Sequence, residues 1–180
     1  SYTPDGTGAI STNVQTKLRE TVSVKDFGAV GDGVTDDTTA FYNALLDIKN
    51  AGGGILVIPP SSTAYALKQA NIIDVDFTGL YIEITGGGAV LDCTSVSPST
   101  SGQMINIVGG VGTTVILHDF EMNGQYTNAL GGLSGIRITG CDHLDVDNLV
   151  MDGFGYVNLD ITDTAGFDPP AVKINGKITN

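Results

Sequence analysis

The sequence predicts an all-β solenoid, a parallel β-helix of stacked coils closed at one end by a single α-helix. Three observations predict it. One amphipathic helix stands near the front of the chain, and no second helix of useful length comes after it. From residue 77 the chain breaks into strands of three to five residues, separated by Gly, Asn, Asp and Thr turns. Those short strands recur as an internal repeat, the mark of self-similar units that bury their apolar sides on one another.

Residues 1–23 are polar and rich in Thr and Ser, and read as a neck or linker into the solenoid. Ile10, Val14 and Leu18 recur every four residues, which allows a short helix that needs a partner to be stable. Residues 24–38, VKDFGAVGDGVTDDT, are dense in Asp and Gly. They lack the spacing and closing Glu of an EF-hand, and they have no Lys placed for a phosphate. A turn remains: the glycines bend the chain, and the Asp and Thr residues cap the next element. That element is a helix over Asp36–Asn50, with Ala40, Phe41, Ala44, Leu45 and Ile48 on one face. Thr35 or Asp36 is the expected cap, acids in the first turn suit the dipole, and Gly52, Gly53 and Gly54 stop the helix.

Ile55–Ile58 then reads as a strand ended by Pro59 and Pro60, and Tyr65–Leu67 as a second. The repeat comes next. INIVGGVGTTVILHDFEMNG (105–124) aligns with IRITGCDHLDVDNLVMDG (136–153) if one turn differs by two residues, and LYIEITGGGAVLDCT (80–94) is a plainer version. Val157 onward starts another. A unit of about 20 residues with three strands and no helix is read as one coil, successive coils lying about 4.8 Å apart. The apolar face of the first helix suits it to cover the open end of such a stack. At the far end, Asn175-Gly176 between two β-prone triplets predicts a hairpin over 171–180.

Bulk properties exclude several functions. The net charge is -12, and 8 Lys plus Arg are scattered along 180 residues, so no basic stripe offers itself to nucleic acid. No apolar run approaches the roughly 18 residues of a membrane span. Cys93 and Cys141 have neither disulfide-framework nor zinc spacing, and read as two buried thiols. No pattern calls for a metal or a cofactor. The start at Ser1 rather than Met reads as a piece of a longer chain.

The opening residues carry a resemblance. Asp26-Phe27-Gly28-Ala29, Gly31-Asp32-Gly33, Thr35-Asp36-Asp37-Thr38, a helix, and Gly53-Gly54 through Pro59 resemble the opening of the pectate-lyase-like superfamily. The approach, SYTPDGTGAISTNVQTKLRETVSVKDFGA, resembles the junction before the β-helix in bacteriophage tailspikes and tail fibres. The resemblance implies a right-handed, single-stranded parallel β-helix, with residues 24–180 as its N-terminal coils. It also implies a homotrimer in the virion tail, beside other tail proteins, that adheres at the host surface to capsule or O-antigen polysaccharide. Depolymerisation, by hydrolysis or lyase chemistry, would belong to the parent protein. A structural spike shaft without a sugar site is the alternative. A secreted pectinase is a third, disfavoured because Gly-His-Gly and Arg-Ile-Lys signatures are missing.

The resemblance implies chemistry on the outer face of the coils, or between chains, carried by Asp and Glu. Leu144-Asp145-Val146-Asp147 alternates, which sends both aspartates outward about 6.6 Å apart. That spacing falls within the roughly 6.5–9.5 Å of inverting glycosidases. The repeat stacks His118 beside Asp147. Asp163, in NLDITDTAGFDPP, is a third catalytic candidate, on a faint likeness to the polygalacturonase Asn-Thr-Asp-Gly-x-Asp segment that Thr164-Ala165 interrupts. His118, Arg137, Glu121 and Tyr156 are the candidate substrate-binding residues. The bland alternative for the aspartates is a solvated strand face that discourages edge pairing, and for Arg137 it is an ion pair with a nearby acid.

Overall fold

The chain enters the fold through its neck. The computed structural model describes residues 1–18, 20–71, 73–96, 102–125 and 133–162, and the backbone of 171–178. Tyr2 and Thr12 form an antiparallel bridge, and Val14–Leu18 forms a short helix, α1. Asn13 Oδ1 accepts from the Thr16 amide at 2.6 Å. No side chain of α1 is buried, so Val14 and Leu18, like Ile10, face outward. β1 (Thr21–Ser23) runs into a single 3-10 turn, Val24–Phe27, held by a reciprocal pair of bonds between Ser23 and Asp26. Gly28, at φ 91, ends that turn.

α2 (Thr38–Ala51) buries Ala40, Phe41, Ala44, Leu45 and Ile48, the face its spacing predicted. Its cap differs from expectation. Asp37 occupies the N-cap position and makes no side-chain cap bond, because its carboxylate turns back to the amides of Val30 and Gly31. Asp36 holds the Thr38 amide at 3.1 Å from outside the helix. No acid lies within the first turn. Gly52 closes the helix in the left-handed region at φ 93.

The coils come next. β2 (Gly54–Val57), β3 (Tyr65–Ala66) and β4 (Ile73–Asp76) make the first. β5 (Tyr81–Asp92) with β6 (Gly102–Val108) make the second, and β7 (Thr114–Asn123) with β8 (Leu133–Thr139) the third. β9 (His143–Asp152) with β10 (Leu159–Thr162) make the fourth, and β11 (Ala171–Ile178) opens a fifth. The named strands pair in parallel, in the orders β1-β2-β5-β7-β9-β11 and β4-β6-β8-β10, with β3 also on β5. β5, β7 and β9 each bend once: the ladder shifts between Thr85 and Ala89, and Asp119 and Asn148 take φ 62 and 49 at the corresponding points. Each long strand therefore supplies two legs of its coil.

Register stacks like on like. Ile82, Val115 and Leu144 lie level, as do Ile84, Leu117 and Val146, and all six are fully buried. On the other sheet Ile73, Ile105 and Ile136 do the same. Burying each such side chain contributes roughly 1.5–3 kcal/mol. The repeat's two-residue offset is real: Ile105 lies level with Ile136 but Thr114 with His143, the turn between being shorter in the later coil. The expected coil length is corrected. The repeat visible in the sequence ran from the third leg of one coil to the second leg of the next and left out the connection between legs. A full coil takes roughly 30 residues, as those pairings require.

The expected hairpin over 171–180 is also corrected. Ala171–Ile178 is one strand, parallel to β9, with a register shift between Asn175 and Lys177. Asn175 lies level with Asp147, so Asn175-Gly176 falls where Asp147-Asn148 bends in the coil before. The same left-handed preference that favours a hairpin turn here serves the bend, and the continuing ladder decides between them.

At the front, α2 packs across the end of the stack against β4, β2 and β1. Phe41 meets the edge of Tyr65 with ring centroids 5.6 Å apart, and Tyr65 donates its hydroxyl proton to the Pro59 carbonyl at 2.7 Å. Cys93 and Cys141 are buried free thiols, as expected.

Candidate functional site

The Asp-rich opening is occupied by its own backbone. Asp32 accepts from the amides of Val34 and Thr35 at 2.8 and 2.7 Å, and from the Thr35 hydroxyl. These bonds hold its carboxyl at about 2, below the usual 3.8. Asp37 is buried and accepts from Val30 and Gly31 at 2.7 and 3.1 Å. Gly31, at φ 69, lies where a Cβ would meet Ser61 at 2.8 Å. The stretch is the turn that its spacing implied, and Asp32 and Asp37 are engaged by its own backbone.

The outer face of the coils is different. Strand alternation points Tyr81 and Glu83 out of β5, His118 out of β7, and Asp145 and Asp147 out of β9. His118 bridges two coils: Nε2 lies 3.0 Å from Glu83 Oε1, and Nδ1 2.8 Å from Asp119 Oδ2. Tyr81 donates its hydroxyl proton to Glu83 Oε2, and Asn148 Nδ2 donates to Asp119 Oδ1 at 2.8 Å. One hydrogen-bonded chain thus crosses three stacked coils.

Its members shift one another. Burial pulls the imidazole of His118 down, but the bonds to Asp119 and Glu83 outweigh it and raise it above 6.5. Burial pushes Glu83 up, yet the bonds from Tyr81 and His118 prevail and lower it. Tyr81 is pushed up to about 12, first by burial and then by its bond to Glu83. Bonds from Asn148 and His118 lower Asp119.

The expected residues divide among these surroundings. Asp145 and Asp147 share the outer side of β9, half-buried and exposed respectively, and Asp147 lies level with His118 as the repeat implied. His118 nonetheless directs its ring nitrogens to Glu83 and Asp119. Glu121 lies on the second leg of β7 and accepts from Asn123 Nδ2 at 2.7 Å. Arg137 stands in the other sheet, where its Nε donates to Asp160 Oδ2 at 2.8 Å, the bland alternative. Tyr156 is 64% exposed in the loop after β9, whereas its neighbour Phe154 is buried. Asp163 lies outside the described residues.

Sequence reasoning missed Tyr81, Glu83, Asp119 and Asn148. Alternation in LYIEIT places Tyr81 and Glu83 outward and could have found them. Asp119 could not be found so, because alternation sends it away from His118, and its positive φ brings it back.

Residues 21–62 match the family model "Rhamnogalacturonase A/epimerase, pectate lyase-like". A Klebsiella phage KN3-1 protein, "Depolymerase 1, capsule KN3-specific", is 28% identical over 77% of this chain and 19% of its own length. Mannuronan C5-epimerase AlgE2 of Azotobacter vinelandii is 28% identical over 81% of this chain and 17% of its own. Alginate lyase 7 of the same bacterium is 32% identical over 75% of this chain and 14% of its own. Among solved structures, ORF18 of Geobacillus virus E2 aligns with a TM-score of 0.44 at 21% identity, over 79% of this chain and 32% of that one. The chain spans less than a fifth of the length of the curated relatives named here. The match at the opening and the parallel coils behind it show a parallel β-helix of pectate-lyase-like fold, similar over most of its length to a segment of a phage depolymerase.

Proposed function

We propose that the chain is the leading β-helix segment of a phage tailspike, and that it engages bacterial surface polysaccharide on the outer face of its second to fourth coils. The tailspike is a homotrimer of the virion tail and acts at the host cell surface. The observation that carries this reading is the chain Tyr81–Glu83–His118–Asp119–Asn148. It presents an aromatic ring, an imidazole, an amide and carboxylates along one continuous face beside Asp147. Sugar hydroxyls both donate and accept, and this set offers both partners at each coil. The similarity to a Klebsiella phage capsule depolymerase supports the polysaccharide class.

The test is binding of the purified chain to a panel of capsular and O-antigen polysaccharides. Glu83→Gln and His118→Ala weaken the binding seen, with the fold intact by circular dichroism. A panel with no ligand sinks the reading, and binding untouched by both variants moves the site elsewhere. Release of reducing ends that Asp145→Asn and Asp147→Asn abolish assigns cleavage to that pair. Light scattering reads the trimer, and a monomer at micromolar concentration counts against it. A structural shaft is the second reading. It is favoured by the closure of the network, since both ring nitrogens of His118 already have partners.

A further inference from the structure

We infer, on the reading that the chain is a homotrimer, that its copies are joined at the neck: Val14 and Leu18 of α1, with Tyr2 and Ile10, pack against the same residues of the other copies. Nine large apolar side chains are exposed among the described residues, and four of them, Tyr2, Ile10, Val14 and Leu18, fall within residues 1–18. The others, Val30, Val34, Tyr81, Val111 and Tyr156, are spread over the opening loop and the coils. Ile10 is 83% and Leu18 71% exposed. Val14 and Leu18 stand one turn apart on the same side of α1. The Tyr2–Thr12 bridge turns the chain back on itself, and Tyr2 lines a shallow hollow of about 270 Å³ with Val14, Lys17 and Leu18. Leu18 also borders a cleft of about 320 Å³, which Val22, Phe27 and Asp47 line from the body of the fold.

Two observations name a second copy as what covers this surface. The first is that α1 has five residues and buries none of them. Helices shorter than roughly 12–15 residues are marginal in water without packing. The bonds that α1 does have are local: Asn13 Oδ1 accepts from the Thr16 amide, and Lys17 pairs with Glu20 at 2.7 Å. The charge of Lys17 is thus matched within the neck, and the side that Val14 and Leu18 present is apolar. The second is the distribution of charge. Asp5 and Glu20 offset Lys17 and Arg19, so residues 1–20 are neutral and the whole net charge of -12 falls on residues 21–180. Coil bodies of one sign repel one another, and the necks do not. Identical chains therefore meet at the neck without a charge cost, and burial of its exposed apolar side chains drives the contact. The contact needs no coil side chain, so Tyr81, Glu83 and His118 stay available to a ligand.

The experiment is analytical ultracentrifugation of the whole chain at micromolar concentration, at low and high salt. The wild type is expected to sediment as a trimer at both, because salt screens the repulsion between coils and leaves an apolar contact standing. The double variant Val14→Asp/Leu18→Asp is expected to sediment as a monomer with an unchanged circular dichroism spectrum, since neither side chain is buried in the protomer. Leu18→Met keeps the trimer, and so does Val111→Asp, an exposed position in the turn before β7. Leu18→Cys reads proximity directly: mild oxidation links two chains through it, while Cys93 and Cys141 stay buried. A trimer that survives both aspartates, that dissociates in salt, or in which Leu18→Cys forms no link between chains overturns the inference and leaves the trimer reading standing. A wild type that sediments as a monomer overturns both.

Discussion

The acids of the opening loop and the acids of the coil face are the same residue types with different partners. Asp32 and Asp37 take their bonds chiefly from backbone amides a few residues away. Glu83 and Asp119 take theirs from side chains, His118 and Asn148, reaching across coils. A carboxylate on amides fixes a chain path, and its removal leaves those amides without acceptors. A carboxylate on mobile polar side chains can exchange partners with a ligand. The contrast separates fold-making acids from candidate ligand-making ones, although composition alone makes the loop look the more chemical of the two.

The sharpest way to break the contrast is at Asp37, the buried member. Asp37→Ala leaves the amides of Val30 and Gly31 unpaired beneath the cap. The expected loss is about 2–4 kcal/mol in denaturant unfolding. Asp37→Asn keeps one acceptor and falls between the two. A loss within about 0.5 kcal/mol for Asp37→Ala would show the loop's acids to be as dispensable as surface ones.

How much of this was legible depends on the range of the interactions. The turn, the helix face and the coil register were readable because glycine, helical spacing and a repeat are local or self-similar signals. The turn offset between residues 105–124 and 136–153 was visible because apolar ladders demand equal register. Asn175-Gly176 misled because its local preference serves a hairpin and a bend equally, and the sheet chooses. The Glu83–His118 contact is diagonal, with His118 level with Thr85 rather than Glu83, so pairing like with like missed it. Asp119 depends on one left-handed residue that nothing in its neighbours announces.

The second prediction concerns pH. His118 is raised above its ordinary 6.5, so its contribution is full below 6.5 and is lost as pH rises through its folded value. Glu83 is lowered from 4.5, so its contribution is full above 4.5 and is lost as pH falls through its folded value. The cross-coil bridge is therefore strongest between 4.5 and 6.5. In that window His118→Gln lowers stability by roughly 1 kcal/mol, or about 2–4 °C in thermal unfolding, and the difference shrinks toward about pH 8. A difference that is constant with pH would show that His118 acts by packing rather than by charge.

A smaller effect is expected at Asp32, which is exposed but holds two amides. Its carboxyl titrates near 2 in the fold against an ordinary 3.8. The stability it adds is full above 3.8 and is lost as pH falls toward 2. The unfolding difference between the wild type and Asp32→Asn is thus flat from neutral pH down to about 4, then narrows. A difference that grows in acid would place the effect on another group.

The smallest expected effect on stability is at Asp147, which is exposed and level with His118. Asp147→Asn should change unfolding by no more than about 0.5 kcal/mol, as surface substitutions usually do. Its effect on polysaccharide binding is expected to be larger than its effect on the fold, the reverse of Asp37. Three outcomes divide the readings. A fold left intact with binding lost places ligand recognition on the coil face. A fold and a binding constant both unchanged make Asp147 a solvating residue and leave Glu83 and His118 to carry the site. A fold weakened by as much as Asp37→Ala weakens it would make the outer row a structural ladder, and the two regions would then differ only in which partners their acids hold.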